Sequence, residues 1–293
     1  MRPQPVAQHT ARAGVFLMLG AVLSSCGGTR LAAQEAPEPA SAAARPDRGD
    51  EHLAQMKRSA EAYQITLNTE PPRRLELRME PVLRWSNPLR ITSDGAVFLW
   101  LSEGRPEVIA SFYQFQRNGM TAEDHEFQSL ATTGLTATRG DSDVWFPRDP
   151  GVTLAPIPDA PAPAGTPAER LRQMRALARE FRAFLDRPNN KSELRLLSQP
   201  LFRYETRRAD LSDGALFSFV LTTDPEVLLL IEARPYEGKL AWHYALTRMS
   251  MMELRVERKG TTVWQVPFNT EANSRKRPYL ITPAPAPPAG DGF

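Results

Sequence analysis

His125 stands between Asp124 and Glu126. A histidine beside carboxylates is the set from which a general base is built, because the ring titrates near neutral pH and a carboxylate can fix its tautomer. On that reading the chain is a hydrolase-type enzyme using His125 and a nearby carboxylate. Two further sets of charged residues invite the same question. Asp94 and Asp213 each precede a glycine, Glu107 and Glu226 each follow a proline, and Arg84 and Arg203 each adjoin an aromatic residue. Paired carboxylates can divide acid and base roles between them. The structural alternative makes Asp-Gly and Pro-Glu the grammar of hairpins, with Asp accepting from nearby N–H groups and Gly supplying a positive φ. Each arginine then pairs with one of the acids. An active site present twice should sharpen in one copy and decay in the other, yet these residues persist in both. Arg84, Asp94, Glu107, His125, Arg203, Asp213 and Glu226 are therefore carried forward as binding or structural positions, with no catalytic residue assigned.

Motifs that would announce other chemistry do not occur. There is no Gly-x-Ser-x-Gly elbow, P-loop, His-Glu-x-x-His or Gly-x-Gly-x-x-Gly. No spacing of His, Asp and Glu resembles a metal cage, so neither a metal nor a cofactor is expected. Cys26 is the single cysteine, which rules out an intramolecular disulfide.

The elements that must carry these residues occur twice. Pairing 74–147 with 193–266 at a constant offset of 119 gives 18 identities in 74 positions, against about five for chance matching at ordinary composition. Ser93-Asp94-Gly95-Ala96 matches Ser212-Asp213-Gly214-Ala215, Pro106-Glu107-Val108 matches Pro225-Glu226-Val227, and Trp145 matches Trp264. Each signature opens an apolar run, and the two runs read as a β-hairpin. Leu228 to Ile231 is apolar at every position, which predicts a strand buried on both faces. Ahead of each β-rich stretch lies a helical pattern. Leu53, Met56, Ala60, Tyr63 and Leu67 recur at spacings of three and four, as do Leu171, Met174, Ala178, Phe181 and Leu185. Thr166, Pro167 and Glu169 give the second helix a capping box with proline at its first position. The expected fold is α+β: a tandem duplication, each unit one amphipathic helix followed by an antiparallel meander of about six strands.

The N-terminus sets an address. Arg2 and Arg12 flank a leader whose apolar run, Gly14 to Leu23, is shorter than the roughly 20 residues a membrane helix needs. It ends Leu23-Ser24-Ser25-Cys26, which resembles a bacterial lipobox with Cys26 as the lipidated residue. The alternative is a plain signal peptide cut near Ala33 or Ala36, releasing a soluble secreted protein. Without Arg2 and Arg12 the chain carries 34 basic and 34 acidic side chains. A balanced chain with no basic block has no electrostatic footprint for nucleic acid. The organisation expected is a signal peptide over 1–26, a disordered tether over 27–50, unit one over 51–147 and a Pro-rich connector over 148–167. Unit two follows over 168–267, then a disordered tail over 268–293.

Four stretches carry a family resemblance: Leu83-Arg84-Trp85-Ser86-Asn87-Pro88, Asp94 to Trp100, Pro167 to Phe181, and Asp224 to Arg234. Over roughly 70 to 267 the chain resembles an uncharacterised family of exported proteins from planctomycete-type bacteria. The resemblance implies an exported protein and supplies no activity, substrate or cofactor. The leading expectation is a non-catalytic lipoprotein of the cell envelope or periplasm. It would be held to the membrane by its lipid and would bind an envelope protein or a small ligand between its two units. The alternatives are the His125 hydrolase and a carrier of apolar small molecules.

Overall fold

The computed structural model describes residues 48–88, 92–117, 119–187, 190–206 and 208–284. Cys26, the rest of the expected leader, the expected tether up to residue 47 and residues 285–293 lie outside the described residues. In chain order the elements are α1 (Arg48–Glu61), β1 (Tyr63–Leu67), β2 (Arg73–Arg74), β3 (Glu76–Asn87), β4 (Thr92–Ser102), β5 (Arg105–Arg117), β6 (Met120–Ser129), β7 (Leu135–Arg139), β8 (Ser142–Trp145) and β9 (Ala155–Pro156). Then come α2 (Pro167–Ala178), β10 (Phe181–Arg187), β11 (Asn190–Leu196), β12 (Phe202–Glu205), β13 (Asp213–Leu221), β14 (Asp224–Tyr236), β15 (Lys239–Arg248), β16 (Glu253–Arg258), β17 (Thr261–Val266) and β18 (Tyr279–Pro283).

This corrects the expected fold class. Strand makes up 56% of the structure and helix 12%, and the strands are distributed over several sheets. The molecule is a mostly-β protein and not an α+β tandem of helix-plus-meander units. Part of the reason is local. Both helices stop before the residues that seemed to extend them. A spacing of four, as between Tyr63 and Leu67 or Phe181 and Leu185, satisfies a strand as well as a helix. The residue midway decides. Ile65 and Ala183 are buried while Gln64 and Arg182 point outward, so the true period is two. α2 keeps its capping box: Thr166 accepts from the Glu169 N–H and donates to its carboxylate at 2.7 Å. α1 begins at Arg48, which places Asp50 inside the first turn with Glu51, where negative charge favours the helix dipole.

The rest of the reason is topological. β1 and β10 do not start meanders. β1 pairs with β7 and β10 with β16, each across about 70 residues of chain. The first half of the molecule splits its strands between two antiparallel sheets, β2-β1-β7-β8 and β18-β6-β5-β4-β3. The second half runs in one sheet, β17-β16-β10-β11-β13-β14-β15-β9, with β12 also on β13. The expected disordered tail is corrected over 268–284: β18 pairs with β6 from Gln128 to Asp124. The connector is docked, with Val152 and Ile157 buried and β9 paired to β15.

Three apolar clusters hold these layers. One gathers Met56, Ile65, Phe98, Phe112, Phe127 and Trp145 beneath α1. A second gathers Met174, Phe181, Phe217, Leu229, Ile231 and Trp242 beneath α2. The third lies between the halves, where Val97, Leu99 and Ile109 of the first meet Leu216, Leu228 and Leu230 of the second. Leu228 to Ile231 is therefore buried on both faces, alternate residues serving different clusters. Each such side chain removed from water contributes about 1.5–3 kcal/mol, so the joint between the halves is part of the folding core. No helix among the described residues is long and apolar enough to cross a membrane.

Candidate functional site

Arg84 and Asp94 face each other across β3 and β4, Nη2 to Oδ1 at 2.6 Å, and the same guanidinium nitrogen reaches Gly49 O in α1 at 3.4 Å. Arg203 and Asp213 repeat this across β12 and β13 at 2.9 Å, with Arg203 Nη2 donating to Pro167 O in α2 at 2.9 Å. Arg170 of α2 adds a second cation to Asp213 at 2.7 Å. These four sequence-selected residues are thus clasps that fasten the first turn of each helix to its sheet. A carboxylate held by a guanidinium in this way is an acceptor already satisfied, which suits structure better than proton transfer.

The glycines after those aspartates do something other than turn. Gly95 and Gly214 lie inside β4 and β13, opposite Trp85 and Tyr204. A Cβ built on Gly95 would lie 2.6 Å from Trp85 Nε1, and one on Gly214 would lie 2.6 Å from Tyr204 Cζ. Each glycine is where an aromatic ring lies flat across the neighbouring strand. Positive φ occurs instead in hairpin turns such as Glu103-Gly104, Glu237-Gly238 and Lys259-Gly260, and at Asp159 in the connector.

His125 is 0% exposed and packed edge-on to Phe112. Its Nδ1 meets the Tyr63 hydroxyl at 2.7 Å and its Nε2 meets Glu123 at 3.0 Å. The carboxylate beside it in space is Glu123, two residues away, since Asp124 and Glu126 point to the opposite face of β6. Ser59 and Gln55 of α1 also donate to Glu123, at 2.9 and 2.6 Å. Burial pushes the Glu123 carboxyl up, but bonds from His125 and Ser59 outweigh it and hold the group below its ordinary value. Burial pushes the Tyr63 phenol up to about 12. The quartet Ser59–Glu123–His125–Tyr63 anchors α1, and His125 lines none of the cavities described.

Glu107 belongs to a buried ionic lattice that joins the halves. Arg105, 2% exposed, donates through Nη1 to Glu107 at 2.7 Å and through Nε to Glu232 at 2.8 Å. Tyr204 and Arg234 complete Glu232 at 2.8 and 2.7 Å, and Arg208 reaches Glu107 at 3.0 Å. Burial raises the Glu107 carboxyl despite its two cations. At Glu232 burial is outweighed by Arg105 and then Arg234, and the group lies below its ordinary value. Arg105, Tyr204, Arg208, Glu232 and Arg234 were not legible as a site because no repeat links them. The positions 119 residues from Arg105, Arg208, Glu232 and Arg234 carry unrelated types, and only Tyr204 has a like match, Trp85. The available signal was charge inside an apolar run, Glu232 and Arg234 directly after Leu228 to Ile231. Glu226 is wholly buried on β14, apart from Arg203. Among the described residues no group of His, Cys, Asp and Glu is placed to hold a metal.

An open cleft of 680 Å3 lies between β15 and β17. Tyr244, Leu246 and Arg248 line it from β15, Val263, Trp264 and Val266 from β17, Pro150 to Thr153 from the connector, and Phe268 to Glu271 with Arg277 to Tyr279 from the C-terminal segment. Arg248 donates to Pro267 O at 2.8 Å and lies over the Tyr279 ring at 5.8 Å. No carboxylate among the described residues pairs with it. Burial without a counter-ion depresses its guanidinium. Arg277, by contrast, is neutralised by Glu271 at 2.7 Å. A cleft of mixed polar and apolar lining, with Tyr244 and Trp264 on it and with Arg248 lacking a carboxylate partner among the described residues, can hold a ligand that combines an apolar group with an anionic one. A scan against protein-family models found no match, and searches among curated proteins and among solved structures found none either.

Proposed function

We propose that this chain is an exported, lipid-anchored and non-catalytic protein of the cell envelope that binds a partner in the cleft between β15 and β17. The observation that carries the binding role is Arg248, a half-buried cation with no carboxylate partner among the described residues, which lines the same cleft as Trp264. The anchor rests on Leu23-Ser24-Ser25-Cys26. The hydrolase reading loses its support because His125 is sealed among aromatic rings and spends its ring nitrogens on Tyr63 of β1 and Glu123 of its own strand.

Two measurements test this. Mass spectrometry of the protein purified from its native membrane should find Cys26 as the N-terminal residue carrying a diacylglyceryl thioether. A mature chain starting near Ala33 or Ala36 overturns the anchor. A photo-crosslinking side chain at exposed Thr270, on the cleft rim, should yield an adduct in intact cells. The same group at Arg172 on α2 should not. No adduct at Thr270 overturns the binding role.

A further inference from the structure

The outer edge of β15 is covered over only part of its length. β9 pairs with His243 and Tyr244, and Ile157 N donates to Trp242 O at 2.8 Å. Beyond Tyr244 no described strand lies against it. The β14–β15 ladder runs in unbroken register to Arg248, and Met249 N bonds inward to Glu226 O. Since Trp242 presents its carbonyl outward, the alternation of an antiparallel ladder turns the backbone groups of Leu246 and Arg248 outward too, into the cleft. An edge of this kind is a template for another strand.

The molecule already fills the corresponding place in its first half. Asp124–Gln128 of β6, 119 residues before His243–Thr247, are paired by β18. The segment leading into β18 also accepts from Phe146 N, just after β8, and from Trp145 Nε1, at Arg275 O and Arg277 O. It therefore bridges β6 and the end of β8, and it buries Trp145 to 1% exposure. In the second half, Trp264 stands where Trp145 stands, 119 residues on. It is half-buried and lines the open cleft.

We propose that this cleft takes an extended peptide segment of a partner protein, which adds as a strand to Leu246–Arg248 of β15 and sets an acidic side chain on Arg248 and an apolar one against Trp264. This rests on the binding role given above and names its partner class. The space fits: four residues of strand occupy about 650 Å3 at ordinary rise, strand spacing and sheet thickness. The charge fits, because among the described residues no carboxylate pairs with Arg248, while Arg277 already has Glu271. Main-chain bonds to the edge would give affinity, and Arg248 and Trp264 would give selectivity.

The test pans a phage-displayed random dodecapeptide library on the full-length chain in detergent. Enriched sequences should alternate apolar and polar residues and carry Asp or Glu at a fixed position. A synthetic copy of the best one should slow amide exchange at 245–248. Arg248→Gln should weaken it at least tenfold, with Arg248→Lys recovering most of the loss. N-methylation of alternate peptide amides should abolish binding, which a site reading side chains alone would not require. Normal exchange protection in β13 and β14 of the Gln variant shows that it is folded. Failure to enrich, enrichment without acidic residues, indifference to Arg248→Gln, or self-association of the chain through β15 overturns strand addition. If a Thr270 adduct forms in cells while no peptide binds, the binding role stands and the strand inference falls. If peptides bind while Cys26 is unacylated, the anchor falls and the strand site stands.

Discussion

Arg105 Nε donates to Glu232 Oε1 across 2.8 Å, and the two side chains are 2% and 0% exposed. One comes from β5 and the other from β14, so this bond crosses between the halves of the molecule. Removing one member of a buried pair leaves the other desolvated and costs about 3–5 kcal/mol. Arg105→Met and Glu232→Gln should each lower urea-unfolding stability by that order, and the double variant should lose clearly less than the two together. Additive losses would mean that the bond contributes nothing of its own.

The Glu123–His125–Tyr63 chain should respond at both ends of the pH scale. The folded state holds Glu123 below its ordinary 4.5, so its contribution is complete above that value and is lost as pH falls through the folded pKa. Tyr63 is held at about 12 against an ordinary 10.0. Its contribution is complete below pH 10 and is lost as pH rises toward 12. The stability gap between wild type and Glu123→Gln should therefore shrink between pH 5 and 3, and that between wild type and Tyr63→Phe should shrink only above about pH 10. A gap that widens in either range contradicts the assignment.

Gly95→Ala forces its new methyl against the Trp85 indole, and Gly214→Ala forces one against the Tyr204 ring. Overpacking of this kind costs about 1–3 kcal/mol. Gly214 should be the more sensitive, because Tyr204 is tied to the Glu232 carboxylate at 2.8 Å, a stronger bond than that of Trp85 Nε1 to the Ser111 hydroxyl at 2.9 Å. Thermal melts of the two variants check the order. Equal, negligible losses would show that the rings move aside freely.

Much of this was legible in the chain. Alternation located most strands, the uniform run Leu228–Ile231 foretold two-sided burial, and the offset picked out the residues of both clasps while leaving open whether each arginine takes the aspartate or the glutamate. Sheet membership was not legible, because Tyr63 pairs with Arg139 and Phe181 with Arg258, far along the sequence. Nothing local distinguishes a strand that begins a meander from one that joins a distant hairpin. Comparing repeated positions also hid what the halves do not share. Arg105 aligns with Asp224 and Arg248 with Ser129, so the lattice and the cleft fall at positions where the pattern breaks. Trp145 is buried, whereas its match in the repeat, Trp264, is half-buried. The difference is the C-terminal segment, which covers one tryptophan and not the other.

Gly151 brings the connector down on β6. Its N–H donates to Ala131 O at 2.8 Å, and a Cβ there would lie 2.5 Å from Ser129 Cβ and nearer still to the Ser129 carbonyl. Backbone cannot yield as a ring can. Gly151→Ala should lift residues 150–157, seen as faster amide exchange there and at Tyr244, whose partner Ala155 would leave. Unchanged exchange would place the connector's hold elsewhere, at Val152 and Ile157.

Ending the chain at Pro278 removes β18 and leaves β6 as a bare edge from Asp124 to Gln128. Two consequences should separate. Glu126 loses the Tyr279 hydroxyl and Leu280 leaves the first core; each lost bond or buried side chain is worth about 1–3 kcal/mol, so the melting midpoint should fall. The exposed edge should also recruit other chains, because unpaired strand groups are satisfied by any extended partner. Size-exclusion chromatography across a dilution series should show concentration-dependent association of the truncated chain and none of the parent. A synthetic peptide copying 275–284 should reverse the association by refilling the slot. If the truncated chain stays monomeric at all concentrations, a strand-shaped vacancy beside β6 does not attract strands, and the same reasoning about β15 loses its footing.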